Sequence, residues 1–258
     1  MIHLFNENCF EGLKRIPDDS IDCIISDPPY NVLDCHWDAK LDFVSLWSEF
    51  LRISKITAAI CLFSSGLFTE NLIRNSPKDL FRYKWVWVKN TVTNFIQAKH
   101  RPMSKHEDIL VFSKGTTANG SKRNMNYFPQ GVKKLDKPHK FRDRHTGTVL
   151  HTTKTGFVSG SQEFTGYPND ILVFDSVQPQ KKMHTSQKPV TLLEYLVKTY
   201  TLENDSVLDP FAGSASTAIA CMNTNRNFIG FELDIDIFNT ASKRIADHEL
   251  NLFNGVTL

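Results

Sequence analysis

The sequence predicts an α/β protein whose core is a doubly wound, mostly parallel sheet of seven strands. Two observations carry this. Short, nearly continuous apolar runs recur along the chain, as they do in strands buried on both faces. Segments of helical periodicity lie between them, as the crossovers of parallel strands require. A chain of 258 residues, 41% apolar, suits one large α/β domain or a core carrying an insertion.

In chain order the strands are expected at His3–Phe5, Ile21–Ser26, Ala58–Phe63, Tyr83–Val88, Asp108–Phe112, Ser206–Leu208 and Asn227–Phe231. A helix follows Pro189, with Leu192, Leu193, Leu196, Val197 and Tyr200 at amphipathic spacing and proline at its first turn. A second follows Gly213, and a third runs from Ile235 to about His248. Between Lys114 and Pro168 neither period is sustained, and the stretch is rich in Gly, Thr, Lys and His. Such a length without regular structure is uncommon in a compact domain unless it is functional, so it reads as a recognition insertion. The expected organisation is a first core half at 1–113, a basic insertion at 114–175 and a second core half at 176–258.

No apolar run approaches the roughly 18 residues of a membrane span, and the N-terminus lacks the basic and apolar regions of a signal peptide. The five cysteines, at 9, 23, 35, 61 and 221, are scattered and form no C-x-x-C pair. That spacing speaks against disulfides and structural metal and for a reducing cytoplasm. The net charge of +2 is unevenly spread: Lys99 to Lys154 holds 13 Lys and Arg against four acids, so the remainder is acidic. Five histidines and the aromatics Tyr127, Phe128 and Phe141 fall in the same basic segment. This mixture suits a polyanionic partner, nucleic acid above all.

Two stretches carry the chemistry. ISDPPYN (25–31) places an acid, two prolines and a tyrosine at the end of an expected buried strand. Consecutive prolines end regular structure and stiffen the corner, because each fixes φ and lacks an N–H. Carboxyl ends of strands are where open α/β sheets bind ligands. SVLDPFAGSASTAIA (206–220) reads as strand, small-residue turn and Ala-rich helix, a geometry that lets backbone N–H groups approach a ligand. It is neither a dinucleotide fingerprint nor a P-loop. Glu232 closes the next strand, where an acid can accept hydrogen bonds from both ribose hydroxyls.

With DPPY in one half and DPFAGS in the other, the chain resembles the amino-methylating DNA methyltransferases, which move a methyl group from S-adenosylmethionine to adenine N6 or cytosine N4. The catalytic motif precedes the cofactor motif with a basic insertion between, the circularly permuted order of the β class. HEDILVFSK (106–114), HTSQKPVTLLEYLV (184–197) and the lead-in LFNENCFEGLKRIPDDSID (4–22) look like further family motifs, so the resemblance spans nearly the whole chain. It implies the Rossmann-like methyltransferase fold, S-adenosylmethionine as cofactor and double-stranded DNA as substrate. A homodimer and a cognate restriction endonuclease are the further partners it suggests.

The resemblance also implies roles. Asp27 and the Pro28 carbonyl would grip the target amine, Pro29 would stiffen the corner, and Tyr30 would stack on a flipped base. Asp27, Asp209, Phe211, Gly213 and Ser214 would border the cofactor, with Glu232 on the ribose. Asn8 and Cys9 would lie near its adenine, and His184, Ser186 and Lys188 near its methionine carboxylate. For Lys188 a solvated position before a helix, and for Phe211 simple core packing, are equal alternatives. Arg101, Lys122, Arg123, Arg142 and Arg144 are the candidate DNA contacts.

The chain departs from the family pattern at three places: Ala215 replaces a second glycine, Asn8 a frequent aspartate, and HTSQKP the commoner HPTQKP. Ala215 is tolerable if its φ is negative. DPPY goes mostly with adenine, SPPY with cytosine and NPPY with RNA or protein-glutamine methylation, so adenine N6 is the expected target. Cytosine N4 methylation and a catalytically silent DNA binder are the alternatives.

Overall fold

A computed structural model describes residues 1–30, 41–145, 156–178 and 187–255, with the backbone alone at 141–145 and 156–159. Strand β1 (Ile2–Asn6) leads into helix α1 (Cys9–Leu13) and then into β2 (Ile21–Ser26), which is buried along its whole length. Next come α2 (Phe43–Ile53), β3 (Ser54–Ser64), α3 (Leu67–Asn75), the long β4 (Phe81–Thr93) and β5 (Ser104–Phe112). After β6 (Lys133–His145), β7 (Gly156–Thr165) and β8 (Ile171–Val173), the chain finishes with α4 (Val190–Tyr200), β9 (Ser206–Asp209), α5 (Ser216–Asn223), β10 (Asn227–Glu232) and α6 (Ile235–Phe253).

The central sheet has the order β1-β10-β9-β2-β3-β5-β4-β8, and β5 alone runs against the other strands. All seven expected strands are present. The eighth, β8, is a three-residue edge strand in which only Leu172 is buried, so no run marked it. Strand alternation proves the double winding. Cys23 and Ile25, Ala59 and Cys61, and Ile109 and Val111 pack with α4 and α5 on one face. Ile24, Ile60, Leu62, Leu110 and Phe112 pack with α1, α2 and α3 on the other. A sheet covered on both faces needs apolar residues at every position, which is why its strands read as continuous runs.

By its contacts the chain divides into two compact units, Met1–Phe128 with Asp170–Leu258, and Pro129–Asn169. The smaller is narrower than the expected 114–175 insertion. Residues 114–128 belong to the larger unit: Met125 is buried in its core, and the Asn126 amide donates to the Thr57 carbonyl at 2.8 Å. The smaller unit also has regular structure where none was expected, an antiparallel ribbon of β6 and β7. Its described side chains on β6 are exposed apart from half-buried Leu135, so no apolar alternation betrays the strand. Pro138 lies within the register shift between Lys134 and His139, where a strand tolerates a missing donor.

Candidate active site

The parallel strands β1, β10, β9 and β2 are neighbours, so their carboxyl ends bring Asn8, Cys9, Glu232, Gly213, Asp209 and Asp27 to one edge of the sheet. Asp27 leaves the tip of β2. Its Oδ1 accepts a hydrogen bond from the Tyr30 hydroxyl at 3.0 Å, and its Oδ2 accepts one from Lys188 Nζ. Lys188 also lies 3.4 Å from Glu107 Oε2, and Glu107 Oε1 accepts from Lys89 Nζ at 2.9 Å. The result is a chain of alternating charge, Lys89–Glu107–Lys188–Asp27, in which no side chain is more than 20% exposed. Aromatic faces back the cations: Lys188 Nζ sits 5.0 Å from the Phe63 ring centre, and Lys89 Nζ 5.7 Å from that of Trp87.

The electrostatics follow from burial and pairing. Desolvation raises the Asp27 carboxyl above its ordinary range; Lys188 opposes that rise and Glu107 adds to it. Burial also opposes ionisation of Glu107, but Lys188 and Lys89 outweigh it and hold Glu107 below its ordinary value. Burial works against the Lys188 ammonium too, yet Asp27 and Glu107 raise its pKa, so the cation is secure at neutral pH. Tyr30 is pushed well up, by burial and then by Asp27, and stays a neutral donor. One face of its ring stacks on Phe68 of α3, with centroids 4.4 Å apart.

Asp209 plays an inward role. It is 4% exposed and accepts from Ser26 Oγ at 2.6 Å, Thr217 Oγ1 at 2.7 Å and the Phe211 amide at 3.2 Å. Burial pushes its carboxyl up to about 6 against the pull of these donors. Because Ser26 immediately precedes Asp27, Asp209 ties the tip of β9 to the proline corner. Phe211 is half-buried against the core. The Ser214 carbonyl and the Ser216 hydroxyl accept from Arg244 Nη1 of α6, at 2.8 and 2.9 Å. Gly213 has φ +51°, and a Cβ there would meet nothing within 4 Å, so its backbone borders open space. Its N–H donates to Glu232 Oε2 at 2.9 Å, while Oε1 accepts from the Asp234 amide at 2.9 Å. Burial raises the Glu232 carboxyl above its ordinary value.

The condition set for Ala215 fails: its φ is +55°, a left-handed conformation with an alanine methyl in it. Asn8 caps α1, its side-chain oxygen accepting from the Phe10 amide at 2.9 Å, and remains exposed. Cys9 is buried, which pushes its thiol up to about 12 and leaves it inert. His184 and Ser186 lie outside the described residues, and among those described no cluster of His, Cys, Asp and Glu could hold a metal.

Of the basic residues, Arg101 is exposed on the β4–β5 hairpin, at the same end of the sheet as Asp27. Lys122 and Arg123 are exposed on a segment anchored at Thr57, near the start of β3 and seven residues before Ser64. At roughly 3.3 Å per residue that is about 23 Å from the carboxyl end of the strand. Arg142 and Arg144 lie on β6, where the backbone alone is described. Glu107, Lys89, Phe68, Ser26, Thr217 and Arg244 were assigned no role from sequence. Glu107, Ser26 and Thr217 had a signal, their places in the HEDILVFSK, ISDPPYN and SVLDPFAGSASTAIA stretches.

Solved structures share the fold. A cytosine-N4-specific PvuII DNA methyltransferase aligns over 100% of this chain and 96% of its own, with a TM-score of 0.65 and 14% identity. A putative DNA modification methylase from Thermus thermophilus, in complex with S-adenosyl-L-methionine, aligns over 96% and 94%, with a TM-score of 0.62 and 18% identity. The fold is therefore the Rossmann-like one of DNA methyltransferases.

Residues 21–243 match the N6/N4 methyltransferase family model, described as DNA methylase, and the chain belongs to that family. Among its relatives, the Type II methyltransferase M.HpaI of Haemophilus parainfluenzae is 26% identical over 98% of this chain and 76% of its own length. The DNA adenine methyltransferase YhdJ of Escherichia coli is 24% identical over 90% and 79%.

Proposed function

We propose that this protein methylates an exocyclic amino group in double-stranded DNA, adenine N6 by preference, with S-adenosylmethionine as donor. The observation that carries the reading is Asp27 itself: an acceptor at a proline-stiffened strand tip, oriented by Tyr30 and Lys188. An exocyclic amine is a poor nucleophile because its lone pair is delocalised into the ring. Asp27 would accept one N–H and the Pro28 carbonyl the other, drawing the nitrogen toward tetrahedral geometry and freeing the lone pair. Tyr30, braced by Phe68, offers the flat surface for a base turned out of the helix. The methylated nitrogen must shed a proton, and Asp27, whose proton affinity burial has raised, is placed to take it.

The residues fit the donor. Glu232, with one amide on each oxygen, keeps lone pairs for ribose hydroxyls, and Gly213 leaves its backbone open beside them. Bound there, S-adenosylmethionine would supply the electrophilic methyl group.

Asp at the first motif position favours adenine. Cytosine N4 is the second reading, since the PvuII enzyme carries its cytosine chemistry on the same fold. The test is to incubate the protein with S-adenosylmethionine and unmethylated genomic DNA, digest to nucleosides and quantify both methylated bases by mass spectrometry. Methyladenine from the wild type and none from Asp27→Ala is the expected result. Methylcytosine would keep the mechanism and reverse the base, and cofactor binding without any methylated base would favour a silent binder.

A further inference from the structure

The hairpin joining β4 to β5 rises from the charged chain of the active site. Lys89 is on its outgoing strand and Glu107 on its returning one, where Glu107 pairs with Trp87. Beyond them the strands continue to the Thr93–Ser104 pair, and a turn of 3-10 helix at Phe95–Gln97 closes the tip. The tip is ordered by its own backbone: Gln97 and Ala98 amides donate to the Asn94 and Phe95 carbonyls at 3.0 Å, and the His100 amide to Gln97 at 2.9 Å. On this turn two large apolar side chains face solvent, Phe95 at 78% and Ile96 at 95% exposure. Between Asn90 and His106 there is no acid, while Lys99, Arg101 and Lys105 are basic.

We infer that this tip is a DNA wedge: Phe95 and Ile96 enter the base stack at the place the target base leaves, while the basic residues beside them meet phosphates. The inference rests on the reading above and extends it to how the base is extruded. Geometry suits it. A register shift between Val88 and Thr93 takes up part of the outgoing strand, so the Thr93–Ser104 pair lies two residues of the returning strand, about 7 Å, past the Val88–His106 pair. With the turn of Asn94 to Met103 beyond it, the reach is on the scale of the roughly 8 Å depth of either groove of B-DNA. Apolar side chains inserted at a base step are a known way to unstack a duplex, and the charge of the hairpin matches phosphate rather than an apolar partner.

The test first maps the target site by sequencing methylated DNA. It then places that site in two duplexes, one fully paired and one with an abasic position opposite the target base. The full-length Phe95→Ala/Ile96→Ala protein should lose about tenfold to hundredfold in kcat/KM on the paired duplex. On the abasic duplex, where extrusion costs less, it should stay within about threefold of wild type. Its melting temperature and S-adenosylmethionine affinity should be unchanged, because both side chains are exposed. An equal loss on both duplexes, or no loss, overturns the wedge. So does conversion of a dimer to a monomer in sedimentation, which would assign the tip to a second copy of the chain. A wild type that methylates neither duplex nor genomic DNA would instead sink the underlying reading, and the wild-type control shows that separately.

Discussion

Lys188→Met probes the charged chain most directly. Lys188 is 11% exposed and faces two carboxylates, Asp27 and Glu107, each 20% exposed. Removing it leaves those acids together with, among the described residues, Lys89 on Glu107 as the remaining cation. Breaking a buried ion pair costs about 3–5 kcal/mol, and the residual exposure of this one puts it at the lower end, about 3 kcal/mol. For a chain of this size that lowers Tm by roughly 6–12 °C near neutral pH. The pH dependence carries the diagnosis. In the wild type the Lys188 pKa is raised, so its stabilisation is fully present from acid to neutral pH and is lost only as pH rises through that raised value. In the variant, burial and mutual repulsion raise the carboxyls of the folded state above those of the unfolded chain. The folded state then binds the extra proton, so the Tm deficit should shrink as pH falls from 8 toward the ordinary carboxylate range. Thermal unfolding of both proteins at pH 8, 7, 6 and 5 measures it. A deficit equal at every pH would show that Lys188 contributes only packing, and no deficit would show that the pair is worth nothing.

Other predictions follow from single contacts. Tyr30→Phe keeps the ring on Phe68 but loses the 3.0 Å bond to Asp27, so methyl transfer should slow by about tenfold with little change in DNA affinity; Tyr30→Ala should raise KM as well. Ala215→Gly relieves about 1–2 kcal/mol of left-handed strain, partly offset by about 0.8 kcal/mol for the buried methyl and by added freedom of the unfolded chain. Stability should therefore change little, and calorimetry should find S-adenosylmethionine affinity unimpaired. The Asp209 carboxyl is raised from 3.8 to about 6, so its folded state holds a proton that the unfolded chain releases across that window. Its contribution to stability falls as pH rises from about 4 to about 6. Asp209→Asn should flatten this part of the profile in denaturant titrations at pH 4.5 and 7.5.

Much of the architecture was legible because local rules suffice for it. Strands buried on both faces must be apolar throughout, and helix α4 shows its buried stripe at helical spacing, so the sheet and the strand-tip position of Asp27 and Glu232 could be read directly. What failed lacked such a signal. The edge strand β8 buries one residue, the described side chains of the ribbon β6–β7 are nearly all exposed, and a left-handed φ at Ala215 breaks the preference of alanine. Lys122 and Arg123 look like Arg101 by charge, yet the fold carries them to the opposite end of β3.

The sequence by itself determined the parts that depend on residue type and short spacing: an acid at a proline corner, a small-residue turn, an acid closing the next strand. Tertiary structure alone decided what each part touches. Glu107 is 81 residues before Lys188 and 80 after Asp27 in the chain, yet the sheet order sets all three side by side. Ser26 and Asp209 meet across 183 positions because β2 and β9 are neighbours. Charge pairs act through distance in space, and a sheet with crossover connections makes that distance independent of separation along the chain.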